Sequence, residues 1–270
     1  MKFHQHHNLS SYFFIVIFLG LTACAGLSGN GDQAESNEKM PVEEIQAQDE
    51  LQKFSSQLAK DGIPSGWNFY RLAPYKKNTI YRLENYQGRT VLSANAKMSA
   101  SGLAVKLRPR TAQYLWLQWD WKAVGAIPGA DNSQRQNDDA PLRIMVAFDG
   151  NKSKLSLKDK MAFEMANLLS GQEMPYATLM YVWSGKSPIN TVIESAHTSR
   201  IKMIVVDSGW ENIGVWRKHS RDLSADYKMA YGENPGDVIG IALLTDTDNT
   251  NSETRAIYGD IELIRKSTKP

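Results

Sequence analysis

The sequence is poor in the residues that disulfide, zinc and nucleic-acid chemistry require. It holds one cysteine, Cys24, so no disulfide can form within the chain. Three of its five histidines precede residue 8, and His197 and His219, both in polar connecting stretches, cannot build a usual zinc site without added carboxylates. The 31 basic and 29 acidic residues nearly cancel, unlike the basic footprint of a nucleic-acid binder. We therefore predict a domain held together by its hydrophobic core, with no nucleic-acid partner.

A short apolar run near the N-terminus predicts export. Residues 12–20, "YFFIVIFLG", follow a charged start and are shorter than the about 20 residues that a transmembrane helix needs. Residues 21–24, "LTAC", resemble the lipobox of bacterial lipoproteins, which implies cleavage before Cys24 and lipid on its thiol. In such proteins Ala25 favours the outer membrane. We expect a signal peptide over 1–23 and a lipoprotein that faces the periplasm, with a secreted or cell-surface protein as the alternative.

The chain that follows Cys24 divides into three parts. Residues 24–40 are small and polar, a composition typical of a flexible tether. Over 41–61, apolar residues recur at near-helical spacing before Gly62, which predicts one amphipathic helix. The rest, 62–270, has the length of one large all-β domain.

Most of that domain is predicted to form strands. Eight runs are rich in β-branched and aromatic residues and are separated by Asn, Asp, Gly and Pro. They are 90–96, 102–107, 114–124, 142–148, 178–184, 201–206, 238–245 and 256–264. So many strands with few helices between them favour a mainly β fold, an antiparallel β-sandwich with a few peripheral helices.

Two segments are predicted to be helical. Residues 156–169 begin with Ser156 and Asp159 as a capping pair. An apolar stripe of four residues follows the helical period and is expected to pack on the core: Leu157, Met161, Met165 and Leu168. The second helix, 224–232, is expected to end at Gly232, where glycine can adopt positive φ.

Seven motifs occur in a fixed order along the domain: "WLQWDWK", "DDAPLRIMVAF", "YVWSG", "RIKMIVVDSG", "ADYKMAYGENP", "GIALLTDTDNT" and "IYGDIEL". In this order they resemble the bacterial domain-of-unknown-function family 3047, over roughly residues 66–265. The resemblance implies an exported β-sandwich similar to galactose-binding-type jelly rolls. It implies no established activity and no catalytic residues, so the chemistry must be inferred from the residues themselves.

The aromatic run 114–124 predicts a strand with one core face and one mixed face. Alternation places Trp116, Gln118, Asp120 and Lys122 together on the mixed face. An aromatic ring beside hydrogen-bonding groups suits a sugar, whose C–H face stacks while its hydroxyls are bound. A solvated outer face with an Asp–Lys pair is the alternative.

A second strand, 142–148, is predicted to place Arg143 on the same polar face. Asp138 and Asp139 precede it and could approach a cation or Arg143. Adjacent strand residues point in opposite directions, so these two aspartates are poorly placed as a general acid and base.

Three further residues complete the predicted cleft. Tyr181 and Trp183 share one strand face, as core residues or as a stacking platform. Arg200 stands at the head of the next strand. Because a guanidinium matches a carboxylate, we expect the ligand to be an acidic sugar or a peptidoglycan fragment.

Oxygen-bearing side chains cluster in "LLTDTDNTNS", residues 243–252. Asp246, Asp248 and Asn249 could bind calcium, which prefers oxygen ligands, and Asp260 on the last strand could add a carboxylate. The same side chains could instead cap a turn through local hydrogen bonds.

The sequence leaves three functions open. The first is a non-catalytic carbohydrate- or cell-wall-binding lipoprotein, for which calcium is the one candidate cofactor. The second is an enzyme acting on envelope polysaccharide through convergent Asp120, Asp138 and Asp246. The third is a structural partner in an envelope protein complex.

Overall fold

The computed structural model describes residues 46–59, 62–170 and 173–266. Within these ranges the chain forms twelve strands, in most of which apolar and polar residues alternate. In chain order these are β1 (Asn68–Arg71), β2 (Ile80–Tyr86), β3 (Arg89–Lys97), β4 (Ala100–Thr111), β5 (Leu115–Ala123), β6 (Ala140–Phe148), β7 (Ala177–Ser184), β8 (Val192–Glu194), β9 (Ile201–Ser208), β10 (Arg217–Asp222), β11 (Asp237–Asp246) and β12 (Glu253–Arg265). All eight predicted strands are present within this set.

The strands form two sheets that pack as a jelly-roll-type sandwich. The seven-stranded sheet has the order β1-β4-β11-β6-β7-β9-β8, and the five-stranded sheet has the order β10-β5-β12-β3-β2. Pairing is antiparallel except between β7 and β9, which run parallel. The predicted fold class, an antiparallel β-sandwich, is confirmed, and the β7–β9 pair is its one parallel step among the described strands.

The core lies between the two sheets. Trp119 and Trp121 of β5 meet Tyr181 of β7 in the space between them, with the Trp119 and Tyr181 rings 5.0 Å apart. The alternate residues of β6 point inward in the same way, which leaves Arg143 on the outer side of its sheet. Burial on one face of each strand is therefore what fixes the direction of every outward side chain.

Two helices lie among the strands, α1 (Leu157–Ser170) and α2 (Leu223–Tyr231). The predicted end of α2 is confirmed, since Gly232 adopts φ +71°. The predicted cap of α1 is confirmed too, because the Asp159 amide donates to the Ser156 hydroxyl at 3.1 Å. The predicted packing of the apolar stripe is wrong, since Leu157 and Leu168 are 75% and 81% exposed. Instead α1 buries Asp159, whose carboxylate accepts hydrogen bonds from the loop before β9.

The amphipathic helix predicted over 41–61 is absent from residues 46–59, which hold one 3-10 turn, Phe54–Ser56. Gln48 pairs with the edge of β4 by donating to the Lys106 carbonyl and accepting from the Arg108 amide, both at 2.9 Å. Phe54 is buried against Trp67, with the ring centroids 5.5 Å apart. Edge pairing and one buried anchor thus replace the helical stripe that the spacing suggested.

The predicted signal peptide (1–23), the predicted tether (24–40) and Cys24 lie outside the described residues. Within the described part of the chain, neither helix is long and apolar enough to cross a membrane.

Candidate functional site

The outer side of the five-stranded sheet carries the four side chains that the sequence placed on one face of β5. Their neighbours in the strand, such as Trp119 and Trp121, point into the core. Other strands of the same sheet extend the surface with Tyr86 from β2, Arg89 from β3, and Trp216 just before β10. We call this surface the aromatic face: Tyr86, Arg89, Trp116, Gln118, Asp120, Lys122 and Trp216.

Arg89 links the charged and aromatic parts of this face. Its guanidinium forms an ion pair with Asp120 and lies 4.2 Å from the ring centroid of Trp216. Gly259 of β12 makes room beneath the pair, since a Cβ there would lie 2.0 Å from Oδ1 of Asp120 and 2.8 Å from a nitrogen of Arg89. The ion pair therefore lies directly on the sheet backbone, and a side chain at position 259 would force it to move.

A second polar and aromatic contact lies beside it. Nζ of Lys122 donates to the Tyr86 hydroxyl at 2.9 Å, and the Tyr86 ring meets Trp216 edge-on with the centroids 6.1 Å apart. The amide of Gln118 donates to the Ser220 hydroxyl at 3.0 Å. The aromatic face thus offers half-buried rings next to donors and acceptors held in place by their neighbours.

A second group of charges lies on the outer side of the seven-stranded sheet. We call it the Arg143 cluster: Asp138, Asp139, Arg143, Asp246 and Asp248. The Arg143 side chain is 3% exposed and donates from Nη2 to Asp138 at 2.8 Å and from Nε to Asp246 at 3.2 Å. Nη1 lies 3.3 Å from the sulfur of Met203. This guanidinium is enclosed by the protein and forms ion pairs with Asp138 and Asp246.

The turn that follows β11 is capped by an aspartate from the loop before β6. Asp139 is fully buried and accepts from the Asn249 amide at 3.2 Å and from the Thr250 amide at 2.7 Å. Asp246 accepts from the Ala140 amide at 3.0 Å, which ties β11 back to the same loop. A capped turn is therefore present in "LLTDTDNTNS", although its main cap lies outside that stretch.

The carboxylates of the Arg143 cluster differ in their affinity for protons. Burial raises the pKa of Asp246 to about 7, with Arg143 opposing the shift and the other aspartates adding to it. Burial also acts on Asp138, but Arg143 and Asn132 outweigh it and hold the pKa of Asp138 below its usual range. The same carboxylates outweigh burial at Arg143 and raise its pKa. Asp246 therefore holds a proton more readily than Asp138.

Three carboxylates of the cluster have the spacing for one cation. An oxygen from each of Asp139, Asp246 and Asp248 lies within 4.8 Å of the others. Oδ1 of Asp248 and Oδ1 of Asn132 are buried and have no hydrogen-bond partner. Hard oxygen donors of this kind suit calcium, so the residues fit the ion. Two basic side chains already neutralise part of this charge. Lys76 forms an ion pair with Asp248 at 2.5 Å, and Arg143 forms one with Asp246.

Two residues of the predicted metal site, Asp260 and Asn249, form hydrogen bonds with other parts of the protein. Asp260 is bonded to the amide and hydroxyl of Ser55 at 2.9 and 2.6 Å, because β12 belongs to the other sheet. The side-chain amide of Asn249 donates to the carbonyl of Arg135 at 3.1 Å. Asp139, predicted as a ligand-binding residue, takes the third carboxylate position instead.

The predicted single cleft is wrong. Trp116 and Asp120 lie on the outer face of the five-stranded sheet, whereas Arg143 and Asp138 lie on the outer side of the seven-stranded sheet. The core of the sandwich separates them. The convergence of Asp120 with Asp138 and Asp246, on which the hydrolase alternative depended, is wrong for the same reason.

The two aromatic residues of β7 belong to the core. Tyr181 and Trp183 are fully buried, and they donate to Asp226 and to the carbonyl of Gly209, each at 2.8 Å. Of the two predicted roles for this pair, packing is therefore the one that the structure supports.

Arg200 is held by neighbours far from the aromatic face. It donates to Glu233 at 2.7 Å and to the carbonyl of Tyr176 at 3.1 Å, and its guanidinium lies 4.1 Å from the Tyr176 ring centroid. Tyr231 covers its other side at 4.9 Å. These contacts join the start of β9 to α2, so the structure gives Arg200 a packing role.

Sequence reasoning missed the residues that complete the aromatic face. Tyr86 and Arg89 flank the "QG" turn between β2 and β3 and are directly paired, a register that the turn could have indicated. Trp216 precedes β10, whose polar sequence "RKHSRD" hid the strand. His219, expected in a connection, lies on β10 with Nε2 2.8 Å from the buried carboxylate of Asp207.

The fold and the aromatic face together define a β-sandwich protein with a polar, aromatic sheet surface. The model of a protein family of unknown function, DUF3047, matches residues 65–262, so the chain belongs to this family. No curated protein matches the chain.

Solved structures with similar strand arrangements include an agarase, an endoglucanase and a CBM4 structure. An exo-β-agarase is 13% identical with a TM-score of 0.35, and the chain covers 26% of its length. Endoglucanase 3 of Trichoderma harzianum, from family GH12, is 7% identical (TM-score 0.40; 77% of this chain and 94% of that one). A CBM4 structure is 12% identical (TM-score 0.31; 75% and 96%). At such values the similarities carry no functional argument.

Proposed function

We propose that the aromatic face binds carbohydrate without hydrolysing it. The observation that carries this proposal is that Tyr86 and Trp216 lie together beside positioned hydrogen-bonding groups on the outer sheet face, which also carries Trp116 near the start of β5. Aromatic rings stack on the C–H face of a sugar, and the fixed polar groups beside them can recognise hydroxyls. Most of these groups are only half-buried, so a ligand can reach them.

The charges of the face favour an acidic glycan. Arg89 and Lys122 are two cations against one carboxylate of the face, Asp120, and Lys266 adds a third with Nζ 3.5 Å from the Trp116 ring centroid. Uronic acids and the carboxylates of peptidoglycan have the complementary charge. A ligand carboxylate could compete for Arg89 or bind the lysines directly.

Binding is favoured over hydrolysis because the carboxylates on this side of the sheet are already paired with basic side chains, including Glu262, which lies across from Gln118 and pairs with Lys53. Glycosidases generally use two carboxyl groups on either side of the scissile bond. Asp120 is engaged by Arg89, and Glu84 on the same sheet is engaged by Arg255. The structure thus offers stacking and hydrogen bonding more readily than acid–base chemistry.

The test is a glycan array that includes uronic acid polymers and peptidoglycan fragments, followed by calorimetry. We expect Trp216→Ala to weaken binding by about tenfold to hundredfold, as for a central aromatic contact. Gly259→Ala should also abolish binding, because its Cβ displaces Asp120 and Arg89. Tyr75→Ala is the control, since Tyr75 is 77% exposed and lies between β1 and β2.

Two outcomes would contradict the proposal. If Trp216→Ala binds as tightly as the Tyr75→Ala control, the aromatic face is not the binding surface. If reducing ends accumulate from the bound polysaccharide, the protein is an enzyme rather than a binding module.

We also propose that the protein is anchored to the outer membrane by lipid on Cys24, which would hold the aromatic face in the periplasm. The support is the "LTAC" motif behind the apolar run 12–20. We expect radiolabelled palmitate to enter the wild type but not Cys24→Ser. Equal labelling of both would exclude this anchor.

Calcium is proposed as a structural ion of the Arg143 cluster. Its four aspartates face two cations, Arg143 and Lys76, so a divalent ion would offset the remaining negative charge. Asp139, Asp246 and Asp248 would bind it. The ion would then brace the turn after β11 and take no part in sugar binding on the opposite sheet.

A further inference from the structure

Helix α1 exposes the side of itself that a helix normally buries. Leu157, Met161, Met165 and Leu168 are 75%, 62%, 57% and 81% exposed. Their spacing places them on one side of the helix, as a continuous apolar stripe. Four large apolar side chains in one stripe are unusual on a surface that meets only water.

The opposite side of α1 fixes this orientation. Asp159 is buried and accepts from the Ser156 hydroxyl at 2.7 Å, the Thr198 hydroxyl at 2.6 Å and the Ser199 amide at 2.9 Å. Ala162 and Ala166 follow on the same inward side and are half-buried. The hydrogen bonds of Asp159, together with Ala162, Ala166 and the half-buried Phe163 on the same side, thus dock α1 with its apolar stripe directed away from the sandwich.

Lysines surround the stripe. Lys154, Lys158 and Lys160 are exposed, whereas Lys152, in the 3-10 turn before the helix, is paired with Glu173. Glu164 is the one exposed carboxylate between residues 151 and 168, because the other acid, Asp159, is turned inward. The exposed side of α1 is therefore apolar along its middle and positive at its edges.

We propose that α1 is an interfacial helix that docks on an anionic lipid surface. Leucine and methionine side chains enter the boundary between headgroups and acyl chains, while flanking lysines reach anionic headgroups with their ammonium groups. A protein partner or a second copy could cover the stripe, but neither accounts for the lysines on both of its sides. Lipid contact through α1 is independent of sugar binding at the aromatic face.

The test places an environment-sensitive NBD fluorophore on the stripe of the full chain. Cys24→Ser removes the native thiol, and Met165→Cys provides the labelling position. Tyr75→Cys, in the same background, is the matched control on an exposed residue away from α1. Both proteins carry the same apolar N-terminal run, so only a difference between the two positions reports on α1.

On vesicles of phosphatidylethanolamine and phosphatidylglycerol, we expect a blue shift and a gain in intensity at position 165 but not at 75. Adding Leu157→Ser, Met161→Ser and Leu168→Ser should raise the lipid concentration for half-response by at least about tenfold. Each of Lys154→Gln, Lys158→Gln and Lys160→Gln should raise it by about fivefold. Melting temperatures should be unchanged, since all six positions are exposed.

Three results would overturn the proposal. One is an unchanged spectrum at position 165 while the protein floats with the vesicles. Another is an equal response on phosphatidylcholine, which would exclude an anionic surface. The third is a blue shift without lipid in a species of doubled mass by light scattering, which would assign the stripe to a second copy.

Discussion

The outer sides of the two sheets carry similar ion pairs in different surroundings. Arg89 and Asp120 lie on the five-stranded sheet with side chains 37% and 11% exposed. Arg143 and Asp246 lie on the seven-stranded sheet at 3% and 8%. In water an ion pair contributes little to stability, whereas removing one partner of a buried pair leaves a costly charge. Burial, rather than residue type, therefore distinguishes these two ion pairs.

Removing the arginine from each side tests that difference directly. Arg143→Gln leaves buried carboxylates without their guanidinium and should lower the free energy of unfolding by about 3–5 kcal/mol. The matched variant, Arg89→Gln, should lower it by less, because Arg89 is 37% exposed and solvent can replace its guanidinium beside Asp120. Denaturant unfolding measures both values.

The same two variants should affect sugar binding in the opposite order. Arg89→Gln is expected to weaken glycan binding, because Arg89 positions Asp120 and covers Trp216. Arg143→Gln should bind normally at temperatures where it remains folded. Similar losses of stability in both variants would show that the two ion pairs do not differ as their burial suggests.

Local sequence patterns predicted eight of the twelve described strands but not the sheet to which each strand belongs. The alternation in β5 correctly assigned Trp116 and Asp120 to one face, and that in β6 correctly turned Arg143 away from the core. The single cleft failed because outward residues of two sheets point in opposite directions. Strand order depends on long-range pairing, such as β11 with β4 and β6, which no local period encodes.

Polar packing explains the remaining differences. The β10 sequence looked like a loop because its inward residues include His219, which stacks on Trp119 and is bonded to Asp207. The stripe of α1 looked like a core face, yet Asp159 determines which side turns inward. In each case a buried polar side chain with several partners outweighed the hydrophobic pattern.

A smaller effect on stability is expected from the proton and the proposed calcium ion of the Arg143 cluster than from the loss of Arg143. The pKa of Asp246 is raised to about 7 in the folded protein, so its protonated form is favoured there. Its contribution to stability is fully present below about pH 4 and is lost as the pH rises through about 7. The pKa of Asp159 is instead lowered to about 2 by its hydrogen bonds, which outweigh burial. Its contribution to stability therefore has the opposite pH dependence and is lost as the pH falls from about 4 towards 2.

Calcium should reverse the loss at Asp246, because an ion can take the place of the proton. With the ion at about a hundred times its dissociation constant, the gain should be about 3 kcal/mol. Calorimetry with calcium and with EGTA should show a larger rise in melting temperature at about pH 8 than at about pH 5, because protons then compete less. Asp246→Asn should remove both the pH slope and the calcium response, whereas Asp120→Asn, the control on the aromatic face, should keep them. A melting temperature insensitive to calcium at both pH values would mean that Arg143 and Lys76 alone balance these carboxylates.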